Sequence, residues 1–183
     1  MIETHLYLSL KSPQDSLIET LQAMIHPLVI VDESSYKGSF VVDESDIVSP
    51  IEVYELIAQD FDPEVTALTL PVDIDYLNDE WIFEALAIIK PNFYTLEAFL
   101  YQAVLKAPQL ALPLKIRLEP LLDEELIKTM IAYAHHEMNA SITAKALYIH
   151  RNTFQYRMNL FEKKIKLNPR RFETLALLHA LFA

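Results

Sequence analysis

The sequence predicts an α+β protein, in which a small α/β domain is followed by an all-helical C-terminal domain. Up to about residue 107, stretches that alternate apolar and polar residues are interleaved with stretches of helical spacing; after Pro120 only helical spacing remains. The formal charge also reverses along the chain. Residues 1–110 hold 19 acids and 4 bases (net -15), and residues 111–183 hold 7 acids and 11 bases (net +4), within a total of -11. An apolar content of 52% is enough for a packed core, and 183 residues suffice for one ordinary domain or two small ones.

In chain order, Thr4–Leu10 alternates and is expected to be a strand. Ser16–Ile25 has helical spacing and is stopped by Pro27. Pro27–Val31 and Ser39–Val42 are expected to be strands on either side of a DESSYKG turn. Pro50–Gln59 is a predicted helix with Ser49 as its cap and proline at its first position. Val65–Val72 is a further predicted strand, weakened by Pro71. Helices are expected near Asn78–Ile89 and Thr95–Lys106. Prolines 108, 113 and 120 then discourage a long helix and suggest an ordered linker. Four helices follow, over Asp123–His136, Asn139–Tyr148, Arg151–Lys166 and Arg171–Phe182. The expected division is an acidic α/β domain over 1–112, regulatory or dimerising, and a helical domain over 113–183.

The composition excludes several chemistries. Gly38 is the single glycine, so neither a phosphate-cradling P-loop nor a GxGxxG dinucleotide turn can be built. With no cysteine there are no disulfides, thiolate zinc sites or cysteine nucleophiles, which fits a reducing cytoplasm. No apolar run reaches the roughly 18 residues of a membrane span, and the N-terminal stretch lacks the pattern of a signal peptide. HExxH and GxSxG are also missing, so no enzyme is expected. His135 and His136 are adjacent and diverge by about 100° on a helix, unlike a zinc pair at i and i+4. Asp73, Asp75, Asp79 and Glu80 lack the glycine and closing glutamate of a calcium loop and suit a solvated loop and helix start. No cofactor or metal is expected.

Function concentrates in the basic C-terminal part, where residues 138–183 carry 2 acids and 8 bases. Within the helix at Arg151–Lys166, Phe154, Met158, Phe161 and Ile165 form one apolar stripe, while Asn152, Tyr156, Asn159 and Lys163 fall opposite. Arg151, Thr153, Gln155 and Arg157 lie near that polar face at its start. Arginine, asparagine and glutamine are the side chains that read base edges; tyrosine, lysine and a helix N-terminus suit phosphates. The preceding short helix is expected to be capped by Ser141, with Ile142, Ala146, Leu147 and Ile149 turned inward. Two helices so joined over about 139–166 make a helix-turn-helix, whose second helix enters the major groove of double-stranded DNA.

The run NASITAKALYIHRNTFQYR, from Asn139 to Arg157, resembles the C-terminal DNA-binding segment of PucR/CdaR-type bacterial transcription regulators. That family reads N-x-S-x-T-A-x-x-L-x-(I/V)-H-R-N-T-(L/V)-x-Y-R. Asn139, Ser141, Thr143, Ala144, Leu147, Ile149, His150, Arg151, Asn152, Thr153, Tyr156 and Arg157 all match it. The HRNT core is also similar to Fis- and NtrC-type domains, and the leucine-rich PucR-like proteins of Gram-positive bacteria form a related group. Relatives often carry an α/β domain ahead of this module, in some a degenerate GGDEF-like one; residues 1–107 are compatible with a shortened version that lacks the GGDEF signature. The chain departs from the pattern at six positions. Met138, Tyr148 and Lys166 stand where relatives or other helix-turn-helix proteins often have glycine or another small residue. Phe154 and Met158 replace common leucines, and Gln155 lies where relatives often carry arginine.

The resemblance implies a cytoplasmic homodimer that reads paired half-sites, with Ser141, Thr143, His150, Arg151, Asn152, Thr153, Gln155, Tyr156, Arg157 and Lys163 as the DNA-facing set. A small-molecule effector is compatible with such a protein, though no residue is assigned to it. Leu175, Leu178, Leu181 and Phe182 give the last helix an almost wholly apolar sequence, which must be covered on several sides, a subunit interface being one way. The overall acidity and Gln155 also motivate a different reading, a helix-turn-helix-derived interaction or dimerisation module that does not bind DNA.

Overall fold

The computed structural model describes residues 3–10, 37–43, 49–71 and 73–183. The helix expected at Ser16–Ile25, the strand at Pro27–Val31 and the DESSYKG turn, up to Tyr36, lie outside the described residues. The chain divides into two compact units, Met1–Phe99 and Leu100–Ala183. The architecture is α+β: a four-stranded sheet with helices in the first unit, and helices alone in the second.

The sheet is built from β1 (Glu3–Ser9), β2 (Lys37–Asp43), β3 (Thr66–Pro71) and β4 (Phe93–Tyr94), in the order β2-β1-β3-β4. β1 runs antiparallel to both neighbours, with Tyr7 opposite Ser39 and Leu68. β3 and β4 are parallel, joined by the crossover helix α2 (Asp79–Ile88). The two-residue β4 had no sequence signal, because two residues cannot show a period.

Both faces of the central strands are covered. Leu6, Leu8 and Ala67 share one core cluster with Val53 and Ile57 of α1 (Pro50–Asp60). On the opposite face, the Tyr7 ring meets Phe83 of α2 edge-on at 5.6 Å and its hydroxyl donates to Asp79 Oδ1 at 2.8 Å. Asp79 thus serves as a helix-start acid and a side-chain acceptor. Helix α1 begins where Pro50 and Ser49 place it. The Glu52 carboxylate accepts from the Ser49 N–H at 2.8 Å and from the Ser49 hydroxyl at 2.9 Å, and these bonds hold its pKa below the usual value. Burial pushes the Tyr76 phenol pKa far up, with Glu97 and Asp75 adding to the shift, so it stays neutral.

Helix α3 (Leu96–Lys106) carries the unit boundary. Beyond it, the expected linker is helical instead. A 3-10 turn at Pro108–Leu110, helix α4 (Ala111–Leu118) and a second 3-10 turn at Glu119–Leu121 follow one another. Each proline falls in the first turn of its own short helix, where no backbone N–H is needed; the prolines therefore divide the helices without preventing them. Leu110, Leu114 and Leu118 repeat at four-residue spacing and are all buried.

The second unit continues with α5 (Glu124–His135), α6 (Ala140–Ala146), α7 (Arg151–Ile165) and α8 (Phe172–Phe182). α5 is central and packs against α6, α7 and α8, and α8 also packs on α4. Leu175, Leu177, Leu178 and Leu181 are buried, so the neighbouring helices of its own unit cover much of the apolar α8. Among the described residues, no helix is long and apolar enough to cross a membrane, and no group of three His, Asp or Glu residues is placed to hold a metal ion.

Thr174 in α8 is fully buried, and its hydroxyl has no hydrogen-bond partner among the described residues. An unmet buried hydroxyl costs about 1–3 kcal/mol. Thr174→Val, which replaces the hydroxyl with a methyl of similar size, is expected to stabilise the protein by about 1 kcal/mol in urea unfolding. A loss of stability would show that the hydroxyl is satisfied.

Candidate nucleic-acid interface

The candidate site is the α6–turn–α7 unit mounted on α5. Its foundation is the stripe Phe154, Met158, Phe161 and Ile165, at most 2% exposed. Burying each such side chain contributes about 1.5–3 kcal/mol. The Phe154 ring lies 5.3 Å from Tyr133 of α5, which fixes the rotation of α7. The opposite face, Asn152, Tyr156, Asn159 and Lys163, is thereby forced outward, and Arg151, Thr153 and Gln155 near the helix start are exposed as well.

Three backbone turns hold the unit, and each uses a left-handed residue that is not glycine. α5 ends with Met138 N–H donating to Tyr133 C=O at 2.9 Å and Glu137 N–H to Ala134 C=O at 3.2 Å, with φ of 53° at Glu137 and 60° at Met138. α6 ends the same way, with Ile149 N–H to Ala144 C=O at 3.0 Å, Tyr148 N–H to Lys145 C=O at 3.1 Å, and Tyr148 at φ 54°. This paired pattern is the Schellman closure. α7 ends on Lys166 at φ 57°, whose N–H donates to Glu162 C=O at 2.9 Å. Met138, Tyr148 and Lys166 are the three positions where the sequence departs from a common small residue. The left-handed conformation explains why glycine suits them. Here the closing hydrogen bonds hold the turns despite the missing glycines.

The caps differ from expectation. Asn139, not Ser141, caps α6: its Oδ1 accepts from the N–H groups of Ser141 and Ile142, both at 3.1 Å. The inward face is Thr143 and Ala144, while Ile142 and Ala146 are exposed and Leu147 and Ile149 are half-buried. A seven-residue helix is too short for apolar spacing to fix its rotation, and the buried threonine hid the true phase. His150 caps α7, with Nδ1 accepting from Asn152 N–H at 3.1 Å. That bond requires Nδ1 to be unprotonated.

Two of the expected DNA-facing residues are turned inward. Thr143 is fully buried and its hydroxyl donates to Asn139 C=O at 2.8 Å. Arg157 reaches back to α5: Nη1 donates to Thr129 Oγ1 at 3.1 Å and Nη2 pairs with the Glu125 carboxylate at 2.5 Å, leaving its side chain 17% exposed. Both residues support the motif from within instead of presenting to a ligand. Glu125 and Thr129 precede Arg157 by 32 and 28 residues, so no local pattern could pair them.

Of the other cations, Arg171 pairs with Glu173 at 3.6 Å. Lys164 pairs with Asp123 at 3.5 Å and Arg170 with Glu162 at 3.7 Å. Among the described residues, Lys145, Arg151 and Lys163 are exposed and form no ion pair or hydrogen bond through their side chains. The rings of Tyr148 and Tyr156 are exposed as well. The arrangement offers unpaired positive charge, the exposed amide of Asn152 and the N-terminus of α7.

Residues 126–183 match the family described as the PucR C-terminal helix-turn-helix domain. No curated protein matches the chain. Among solved structures, the Regulator of Polyketide Synthase Expression from Bifidobacterium adolescentis is similar in fold, with a TM-score of 0.52 at 12% identity, over 98% of this chain and 78% of that one.

Relieving the left-handed strain gives a direct test of the turns. Tyr148→Gly and Lys166→Gly are each expected to stabilise the protein by about 0.5–1 kcal/mol in thermal unfolding. An unchanged or lower midpoint for both would contradict the assigned turn conformations. The family match and the turn geometry coincide on the same residues, and by the match the chain carries a PucR-type helix-turn-helix domain at 126–183.

Proposed function

We propose that the chain is a sequence-specific DNA-binding transcription regulator whose helix α7 enters the major groove. The observation that carries this reading is the division of α7 into a fully buried stripe and an exposed row. The row holds Arg151, Asn152, Thr153, Gln155, Tyr156 and Lys163, with no intramolecular ion pair on its arginine or its lysine among the described residues. Such a helix presents base-reading groups in its first turns and phosphate-contacting groups farther along. Ser141 and Lys145 on α6, together with the His150 cap, lie beside it as backbone contacts. The family of the domain, and the regulatory role named for the Bifidobacterium protein, support the same reading.

In this proposal residues 113–183 bind DNA, and the acidic 1–112 domain dimerises the protein or responds to a signal, leaving room for a small-molecule effector. A single short helix buries too little surface for tight binding, and a twofold dimer reads two half-sites spaced by whole turns of the duplex. A net charge of -15 over residues 1–110 repels phosphate and leaves the basic end as the part that approaches the duplex.

Selection from random duplexes at a fixed salt concentration is the test. Wild type is expected to enrich one half-site, and Arg151→Ala or Asn152→Ala to lose the preference, each bidentate contact contributing about 1–3 kcal/mol of discrimination. Lys163→Ala is expected to weaken all sequences alike and to lower the salt slope by about 1. If wild type enriches no sequence and stays near 10⁻⁵ M, on the order of nonspecific binding, an interaction module without DNA binding is the better account.

A further inference from the structure

The exposed row of α7 contains one side-chain pair that the general reading leaves unused. Gln155 Nε2 donates to Asn159 Oδ1 at 2.7 Å, one helical turn farther along. The bond occupies one amide proton of Gln155. Its second N–H and its carbonyl oxygen form no hydrogen bond among the described residues. From this geometry we infer that Gln155 reads an adenine, with Asn159 as the residue that positions it. The inference rests on the proposed function and makes it specific.

The chemistry distinguishes the bases. Adenine presents an N6–H donor and an N7 acceptor in the major groove, the complement of one amide oxygen and one amide N–H. Guanine presents two acceptors, N7 and O6, so the glutamine oxygen would face O6 without a proton between them. Arginine, which has donors only, suits guanine at the same place. A free glutamine in solvent loses rotamer freedom when it binds; Gln155 has already lost much of it to Asn159, so less is lost on reading the base. Arg157 does not compete for this position, because Thr129 and Glu125 hold it. Arg151 lies four residues before Gln155, about 6 Å along the helix axis, or about two base-pair steps of about 3.4 Å. The adenine is therefore expected about two steps from the base that Arg151 contacts.

Duplex selection with the full chain, followed by affinity measurements on the selected site and its single-base variants, tests this. For wild type, replacing the adenine is expected to weaken binding roughly 5- to 150-fold. Q155A should bind all four bases at that position within about twofold, while the other positions keep their preferences. Q155R should prefer guanine there. Asn159→Ala should reduce discrimination at that one position with the thermal midpoint and the remaining positions unchanged, a selective loss that a purely structural role would not produce. If wild type enriches a half-site and Q155A leaves its base preferences intact, the adenine assignment is wrong and the DNA-binding reading survives. If wild type enriches no sequence, both are overturned.

Discussion

Burial of the Phe154, Met158, Phe161 and Ile165 stripe against α5 is the constraint on which the candidate interface depends. A helix of fifteen residues has one rotation that hides these four side chains, and the Tyr133–Phe154 contact selects it. Once that rotation is fixed, the direction of every other side chain on α7 follows from the helical repeat. The same constraint turns Arg157 toward Glu125 and Thr129, and sends Tyr156 and Lys163 into solvent. Apolar packing thus decides which charges are spent internally and which remain for a partner.

A second constraint is the near-absence of glycine. The one glycine lies in β2, and none of the positive-φ positions among the described residues is glycine. A helix-turn-helix needs sharp turns on either side of a short first helix, and left-handed residues provide them. Glutamate, methionine, tyrosine and lysine take that conformation here at a cost of about 1–2 kcal/mol each. What offsets the cost is the set of carbonyls at the helix ends, which the turn N–H groups close. The caps extend this economy: Asn139 and His150 each satisfy N–H groups at the start of the next helix, so consecutive helices share one short turn.

The relation between sequence and structure differs from one part of the chain to another. The helices from α5 onward were legible because each is long enough, or matched closely enough to a known pattern, for its period to stand out. The proline spacing discourages one long helix, as found, but hides the short helices between the prolines. Pro108, Pro113 and Pro120 sit in first turns, where their missing N–H costs nothing. In α6, seven residues are too few to show a phase, and the apolar pattern points Ile142 inward and Thr143 outward, the reverse of the packing found. β4 was invisible for the same reason of length, since its pairing with β3 is decided by Ala67 and Leu68 across the crossover.

The sequence by itself determined the α+β class, the charge asymmetry, the apolar stripe of α7 and the identity of the helix-turn-helix. All of these are local patterns or sums, so they survive without coordinates. Only the tertiary structure decided which of the candidate residues are free. Arg151 and Arg157 are the same residue type six positions apart on one helix, and no local rule separates them. What separates them is a glutamate and a threonine on α5, some thirty residues earlier, brought within hydrogen-bond range by the packing of two helices. Side-chain availability is a property of the neighbours in space, and for a recognition helix those neighbours come from elsewhere in the chain.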